Sequence, residues 1–303
     1  MSEVSFVWLE ITGKCQLQCV HCYAESGPGG SHGVMETGDW IRVIDEVAGL
    51  GVSMVQFIGG EPTLHPALPV LLEHALRVGV EVEVFSNLVH VTPALWELFA
   101  LPGVRLACSY YSDDAGQHAA VTGRGNSYAR TKANIAEAVR RSVPLRVGVV
   151  DLADDQRSRQ ATDELTGLGV TDIGWDQLRG VGRGQRDHQG GTPGSVDQLC
   201  GQCASNVLAV SPTGEVWPCV FSRWLPSGNV RTSSLGEIVA GPVLRDIRAG
   251  LVAEFEKRSA QPCVPNMCDP QCGPSCGPAC NPSCWPHGTG PCTPRGGCVP
   301  HYR

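Results

Sequence analysis

The sequence predicts an α/β fold, a partial barrel of six strand–helix units followed by a smaller cysteine-rich unit. Through residues 1–180, apolar runs of strand length alternate with amphipathic stretches of helix length, the pattern of a parallel sheet with right-handed crossover helices. Six units are fewer than the eight that close a TIM-like barrel, so an open (β/α)6 barrel is expected, with functional residues at the carboxyl ends of its strands. Of the 15 cysteines in the 303 residues, all but four follow residue 196, which indicates a second unit of different composition.

The elements are predicted from apolar periodicity and from helix-start signals. Trp40, Ile44 and Val47 recur at helical spacing, and Pro66 and Pro93 lie near the starts of the next two helices, where a missing N–H costs little. In chain order we expect strand 4–12, helix 37–50, strand 53–58, helix 67–78, strand 80–86, helix 92–99, strand 104–110, helix 127–141, strand 145–150, helix 154–168, strand 170–175, a hairpin over 207–210 and 215–216, and a helix near 234–251.

Glycine and proline divide the rest of the chain. Residues 181–196 are glycine-rich without periodicity and are interpreted as a linker between a barrel over 1–180 and an auxiliary domain over 197–262. Residues 263–303 repeat Cys-x-Pro-x. Because proline fixes φ and lacks an N–H, we expect a tail of extended backbone there.

Charge and hydropathy exclude several classes of function. The net charge is −7 and lysines and arginines form no run, which disfavours a nucleic-acid partner. No stretch of about 18 apolar residues is present, so no membrane-spanning helix is expected, and the amino terminus lacks the features of a secretory signal. A cytoplasmic location is therefore expected, where thiols stay reduced and cysteines serve as metal ligands rather than as disulfides.

Three cysteines form the most informative motif. Cys15, Cys19 and Cys22 have the spacing C-x3-C-x2-C and follow the first predicted strand. Three thiolates on one short loop can hold three irons of a 4Fe–4S cube and leave the fourth iron without a protein ligand. A zinc site is the alternative, but zinc prefers four closed ligands and no fourth ligand is evident nearby.

The cysteine motif and a Gly-Gly-Glu-Pro run together resemble the radical S-adenosylmethionine (radical SAM) superfamily. The run is Gly59, Gly60, Glu61 and Pro62, at the end of the second strand, and His21 occupies the usual aromatic slot before the third cysteine. The resemblance implies that SAM chelates the open iron, with the Gly-Gly-Glu-Pro run at its methionyl amino group. It also implies that a 5′-deoxyadenosyl radical then abstracts a hydrogen atom from the substrate.

By the same resemblance, three more residues are candidate contacts for the ribose or carboxylate of SAM. They are Asn87 at the end of the third strand, Ser109 late in the fourth, and Arg124 in the Thr-Gly-Arg-Gly loop that follows. Each also suits a turn or the surface. If Asn87 faces the barrel interior, strand alternation places Glu83 on the same face, where a carboxylate needs a partner or a function.

A second group of cysteines resembles the opening of the SPASM and Twitch auxiliary domains of radical SAM enzymes. Cys200 and Cys203 form a C-x2-C pair, and Cys203, Gly214 and Cys219 follow the spacing of that pattern. The resemblance implies one auxiliary 4Fe–4S cluster, with a second one possible, while zinc held by four thiolates is the alternative. The later SPASM element C-x2-C-x5-C-x3-C is absent, so the remaining ligands are sought among the first tail cysteines, Cys263, Cys268 and Cys272.

Candidate catalytic residues lie at or after the carboxyl ends of predicted strands. They are Tyr110, Asp113 and Asp151, which the barrel geometry puts near the mouth. Surface turns explain some of these positions as well. Cys108, inside the fourth strand, is expected to be a small core residue.

The resemblance implies a radical SAM oxidoreductase or epimerase of natural-product biosynthesis. A ribosomally synthesised peptide, modified by crosslinking, oxidation or epimerisation, is the first expectation, because relatives with SPASM-type domains often act on peptides. No leader-binding domain precedes the first strand, so a separate recognition protein would be needed. A sugar or aminocyclitol, oxidised or epimerised, is the alternative, and a non-enzymatic metal-binding protein is a remote one. The expected electron donor is a flavodoxin or ferredoxin.

Overall fold

One mixed sheet of nine strands runs through the residues that the computed structural model describes, 4–153, 155–186, 194–201, 203 and 205–259. The strands are β1 (Phe6–Thr12), β2 (Met54–Gly59), β3 (Glu81–Phe85), β4 (Val104–Tyr110), β5 (Leu145–Asp151), β6 (Asp172–Gln177), β7 (Val207–Val210), β8 (Glu215–Trp217) and β9 (Gly228–Asn229). They lie side by side in the order β6-β5-β4-β3-β2-β1-β7-β8-β9.

Eight α-helices accompany these strands within the described residues. They are α1 (Thr37–Gly49), α2 (Leu68–Arg77), α3 (Pro93–Phe99), α4 (Ala115–Thr122), α5 (Ser127–Arg140), α6 (Ser158–Gly167), α7 (Leu235–Ala240) and α8 (Pro242–Ser259). None of the helices in this part of the chain is both long and apolar enough to cross a lipid bilayer.

The first six strands form the predicted parallel array. Each of β1 to β5 pairs in parallel with the strand that follows it, with Phe6 opposite Met54 in the first pair. Side chains alternate between the two faces, and one face packs into the main hydrophobic core, where Val7, Leu9 and Ile11 of β1 are fully buried. The predicted α/β partial barrel is therefore confirmed.

The cysteine-rich unit joins the barrel through the remaining edge of β1. β7 pairs in parallel with β1, with Phe6 opposite Val207, and β8 and β9 continue the sheet in antiparallel pairs. Gly214 lies in the turn between β7 and β8 with φ +84°, a conformation that glycine adopts without strain. The two predicted units thus share one continuous sheet.

Apart from the last predicted helix, element bounds agree with the prediction to within four residues. α4 was not predicted, because its sequence gives little amphipathic signal. Asp114 caps its start, with Oδ1 accepting from the N–H of Gln117 at 2.8 Å, and Gly123 ends it with φ +69°. The single helix expected near 234–251 is two helices, since Pro242 starts α8 directly after α7.

The inner face of the barrel carries a buried carboxylate. Glu83 is fully buried, accepts a hydrogen bond from Gln56, and pairs with Arg146 at 2.8 Å and with Arg105 at 3.6 Å. These side chains come from β2, β3, β4 and β5, so one carboxylate connects four neighbouring strands. The buried charge is tolerated because cationic and amide donors surround it.

Replacing Glu83 by alanine should lower the free energy of unfolding by about 3 kcal/mol, because two partly buried arginines lose the buried carboxylate with which they pair. Urea unfolding followed by circular dichroism measures the change. Glu81→Ala, on the same strand but exposed, is the matched control and should change it by no more than about 0.5 kcal/mol. Equal effects of the two substitutions would contradict the role assigned to the ion pairs.

Candidate functional site

The loop after β1 carries the three amino-terminal cysteines and is held by backbone hydrogen bonds. The N–H of Cys15 donates to the carbonyl of Gly27 at 3.1 Å, and the N–H of Gln18 donates to the carbonyl of Thr122, at the end of α4, at 3.0 Å. These contacts fix a loop without regular secondary structure at the carboxyl end of β1. This is the end of a parallel barrel at which functional groups collect.

The Gly-Gly-Glu-Pro run lies directly against this loop. The N–H of Gly60 donates to the carbonyl of Thr12 at 2.7 Å, and the N–H of Glu61 donates to the carbonyl of Lys14 at 2.9 Å. Gly59 has φ +145°, and a Cβ on Gly60 would lie 2.3 Å from the carbonyl oxygen of Lys14. Both positions therefore require glycine, because the two loops approach through their backbones.

Glu61 connects the run to the end of β3. Its buried carboxylate accepts from the N–H and hydroxyl of Thr63 at 3.1 and 2.6 Å, from the hydroxyl of Ser86 at 2.8 Å, and from the N–H of Asn87 at 2.8 Å. Burial raises the pKa of Glu61, and these hydrogen bonds oppose the increase. The carboxylate thus anchors both the short turn that begins at Pro62 and the loop that carries Asn87.

Asn87 faces the cysteine loop. Its Nδ2 lies 3.6 Å from Sγ of Cys15, and its amide exchanges two hydrogen bonds with the amide of Gln16, at 3.0 and 3.2 Å. The N–H of Leu17 also points at Sγ of Cys15, at 3.4 Å. Two N–H donors at one sulfur stabilise a thiolate and influence the potential of a cluster that it binds. The sequence analysis did not predict a role for Gln16. Its position next to Cys15 is the only feature of the sequence that indicates one.

The chemistry of these thiols fits an iron–sulfur cluster. Burial raises the pKa of Cys15 and of Cys19 to about 12, so the free thiols stay protonated. A metal reverses this, because a coordinating thiol is deprotonated outright. Within the described ranges, no three His, Cys, Asp or Glu side chains are close enough together to bind a single metal ion. A 4Fe–4S cube does not require this arrangement, because each cysteine binds a different iron.

A cavity of about 400 Å³ opens beside His21, the residue before the third cysteine, with Gln117, Gln156 and Leu178 among its other lining residues. Burial lowers the pKa of His21 to about 4, so its imidazole is neutral at physiological pH. The ring packs edge-on against Tyr111, with 5.1 Å between the centroids. The volume is within the range of small-molecule sites, and one wall is a neutral aromatic surface.

Two further predicted SAM contacts are Arg124, which lies at the cysteine loop, and Ser109, which lies near the carboxyl end of β4. Arg124 is exposed, and its Nη1 donates to the carbonyl of Gln16 at 3.3 Å, so it touches the cysteine loop. Ser109 is half-buried near the end of β4. Its neighbour Cys108 is fully buried in the hydrophobic core, which confirms the prediction for that cysteine.

The three candidate catalytic residues differ in their surroundings. Tyr110 is fully buried in the core between β4 and the helices, and its hydroxyl donates to Glu164 of α6 at 2.5 Å. Strand alternation turns its side chain away from the barrel interior, and its catalytic role stays a prediction. Asp113 forms an ion pair with Arg157 at 2.7 Å, and this hydrogen bond lowers the pKa of Asp113. Asp151 ends β5 and is half-buried.

The second cysteine group lies beside β1 and β2. Cys203 and Cys219 are buried in one cluster with Phe6 and Met54, whereas Cys200 is exposed. The hydrogen bond to Cys219, together with burial, raises the pKa of Cys203. Burial acts on Cys219 too, but nearby donors outweigh it and lower the pKa of Cys219 to about 7, a value suited to a metal ligand. The predicted ligands outside the described residues are Cys263, Cys268 and Cys272.

Comparison with protein families accounts for both cysteine groups. The model of the radical SAM superfamily matches residues 9–154, and that of SPASM, an iron–sulfur cluster-binding domain, matches residues 200–273. The chain belongs to the radical SAM superfamily. It carries a SPASM domain, and its cofactors are SAM and 4Fe–4S clusters. All six candidate auxiliary cysteines lie within the range matched by the SPASM family.

Individual relatives match mainly the barrel. PqqA peptide cyclase from Bradyrhizobium diazoefficiens is 33% identical over 146 residues, which are 48% of this chain and 38% of that protein. An AdoMet-dependent heme synthase from Methanosarcina barkeri is 32% identical over 127 residues, 42% of this chain and 36% of that one. The chain thus spans about two fifths of the length of these curated relatives.

Among solved structures, Streptococcus suis SuiB bound to precursor peptide SuiA has the same fold. It aligns with a TM-score of 0.70 over 82% of this chain and 67% of that chain. The sequence identity is 13%, so the likeness is one of architecture.

Glu61→Ala should weaken SAM binding to the reconstituted protein about tenfold, since hydrogen bonds to a charged group contribute about 1.5–3 kcal/mol and their loss releases the Asn87 loop. Equilibrium dialysis with labelled SAM measures the affinity. Glu73→Ala, an exposed carboxylate on α2, is the control and should bind SAM like the unaltered protein. Unchanged affinity of the Glu61 variant would show that the carboxylate does not organise the site.

Proposed function

We propose that this radical SAM enzyme modifies a ribosomally synthesised peptide by crosslinking, oxidation or epimerisation. The name of the PqqA peptide cyclase and the precursor peptide bound to SuiB support a peptide substrate. The observation that carries the proposal is the packing of Cys203 and Cys219 against Phe6 and Met54, at the first residues of β1 and β2. It supports an auxiliary cluster held next to the barrel.

In this proposal Cys15, Cys19 and Cys22 hold the cluster that binds SAM. The proposed SAM contacts are Gly59, Gly60, Glu61, Pro62, Asn87, Ser109 and Arg124. The bound cofactors supply a radical that takes a hydrogen atom from the substrate. The chain contributes a loop fixed by backbone hydrogen bonds, two N–H groups at the sulfur of Cys15, and buried Leu17 and Val89, which limit the access of water.

The SPASM cysteines are proposed to hold one auxiliary cluster, and a second is possible. Their candidates are Cys200, Cys203, Cys219, Cys263, Cys268 and Cys272. If the reaction is an oxidation, the substrate loses a second electron, and a nearby cluster is a suitable acceptor. We further propose a flavodoxin or ferredoxin as electron donor and a separate protein that recognises the leader of the peptide.

A group of stacked side chains lies between the first cysteine loop and β8. Arg223 pairs with buried Glu10 and lies over the rings of Trp217, at 4.6 Å, and of Tyr23, at 5.3 Å. Tyr23 directly follows Cys22 in the first cysteine group. The stacked guanidinium thus links the first cysteine group to β8 of the SPASM domain.

Cys15→Ala should remove about four irons per chain after anaerobic reconstitution, because a 4Fe–4S cube that loses one of three ligands is not retained. Reductive cleavage of SAM should be lost, while auxiliary iron stays bound. Iron and sulfide analysis and chromatography of deoxyadenosine measure both. Cys108→Ala, a core cysteine, is the control and should keep both properties. Cleavage retained in the Cys15 variant would refute the assignment.

Short peptides encoded next to the gene should change in mass when incubated with reduced, reconstituted enzyme and SAM. Crosslinking or oxidation removes two hydrogens, whereas epimerisation in heavy water adds one deuterium at one carbon. Mass spectrometry after anaerobic turnover distinguishes these outcomes. Deoxyadenosine formed with a sugar or aminocyclitol that is consumed, and with every peptide unchanged, would contradict a peptide substrate.

A further inference from the structure

Residues 179–183, which follow β6, contact both cysteine groups. The sequence predicts no functional role for this segment, which lies at the boundary between the barrel and the glycine-rich linker. We call this segment the strap. At its carboxyl end, Arg183 binds the first cysteine loop. Its Nε donates to the carbonyl of Cys19 and its Nη2 to that of Ser26, both at 2.7 Å, and its N–H donates to the carbonyl of Cys22 at 3.1 Å. Arg183 thus donates hydrogen bonds to three backbone carbonyls of a loop that forms neither a helix nor a strand.

The backbone of the strap also lies against this loop. Gly182 has φ +59°, and a Cβ there would lie 2.4 Å from the carbonyl oxygen of Tyr23 and 2.6 Å from that of Cys22. A larger residue would force the strap and the loop apart. The contact therefore depends on glycine at this position as well as on the arginine that follows.

The amino-terminal end of the strap binds the second cysteine group. The N–H of Gly180 donates to Oε1 of Gln198 at 2.6 Å, and Nη1 of Arg179 donates to the carbonyl of the same glutamine at 3.0 Å. Gln198 is two residues before Cys200. Arg179 also lies over the ring of Phe221, at 5.5 Å, and within electrostatic range of Cys200 and Cys219.

The strap is short, so its two ends are mechanically linked. Five residues span at most about 18 Å even when fully extended. A displacement at Gln198 therefore acts on Gly180, which is three residues from Arg183. Coupling of this kind is reciprocal, because whatever stabilises one end in its bound position favours the other end too.

We propose that Arg183 is a positioning residue for the first cysteine loop, and that the strap couples the order of this loop to the state of the SPASM cysteines. Filling of the auxiliary site holds the 198–200 segment in place, and the strap then holds the carbonyls of Cys19, Cys22 and Ser26. The guanidinium also places a positive charge beside this loop, and charge near a cluster influences its potential. This inference does not depend on a peptide substrate.

The test compares Arg183→Gln, Arg183→Lys and Cys219→Ser with a control, Arg130→Gln, an exposed arginine on α5. Hydrogen exchange of the amides of residues 15–26 is measured in anaerobically reconstituted protein and, separately, without iron. The electron paramagnetic resonance spectrum and midpoint potential of the SAM-binding cluster are recorded in parallel. These readouts need no substrate and no turnover.

Arg183→Gln should speed exchange in residues 15–26 about tenfold, with β4 unchanged and with a shifted cluster potential, because local opening becomes easier. Arg183→Lys should keep the potential but exchange faster, since lysine retains the charge and loses the planar fork. Cys219→Ser should also speed exchange in the loop, although it lies in the other group. The double variant Arg183→Gln with Cys219→Ser should show no more than the larger single effect.

Loop exchange in Arg183→Gln equal to that of the Arg130 control would overturn the positioning role. Effects of Arg183→Gln and Cys219→Ser that multiply in the double variant would overturn the coupling, because independent sites act additively in free energy. If Arg183→Gln does not fold, Gly182→Ala provides the second test. It should loosen the loop in the same way, and an unchanged loop would overturn the proposal.

Discussion

Two backbone hydrogen bonds, from Gly60 to Thr12 and from Glu61 to Lys14, join the end of β2 to the loop that follows β1. A loop that offers three thiols to a cluster and leaves one iron open has to be rigid, because a mobile loop would let a fourth ligand or water reach that iron. Backbone pairing supplies the rigidity without a side chain in the space that SAM needs. The carboxylate of Glu61 extends the same restraint to Asn87, which points at the sulfur of Cys15.

The second unit is part of the same scaffold. β7 pairs with the edge of β1, the strand that leads into the first cysteine loop. β1 is therefore the common support of both cysteine groups. The sheet connects the two groups through the pairing of β1 with β7. Residues 179–183 connect them a second time, through hydrogen bonds to the loops that carry the cysteines. The shared sheet, the strap and the stacking of Arg223 on Tyr23 and Trp217 together explain how the separation of the groups is maintained, although each group lies largely in irregular backbone.

The strands and the glycine positions could be predicted from the sequence, because the patterns that indicate them lie within a few neighbouring residues. Strand β4 occupies the predicted residues 104–110, and the two glycines at 59 and 60 are where close backbone approach requires them. The contacts of Arg183 were not predictable in this way, since its partners Cys19 and Ser26 are 164 and 157 residues away and glycine-rich sequence carries no periodic signal.

Tyr110 is a different case. Alternation along β4 places it on the face of Cys108, a predicted core residue, so its position on the helix-facing side of the sheet follows from the sequence. The SPASM ligands are a third case, because their spacing predicts the domain while the tail cysteines, outside the described residues, give no pattern from which to choose the full set.

We propose that Cys15, Cys19 and Cys22 hold a cube whose fourth iron binds the methionyl group of SAM, and the rest of the proposed function depends on this. The most direct measurement is electron–nuclear double resonance on the reduced, reconstituted protein with SAM labelled with ¹⁵N at the amino group. We expect a ¹⁵N coupling to the cluster that disappears when unlabelled SAM replaces the labelled compound. A cluster that is present in full by iron analysis and shows no such coupling, or zinc bound by Cys15, Cys19 and Cys22, would contradict it.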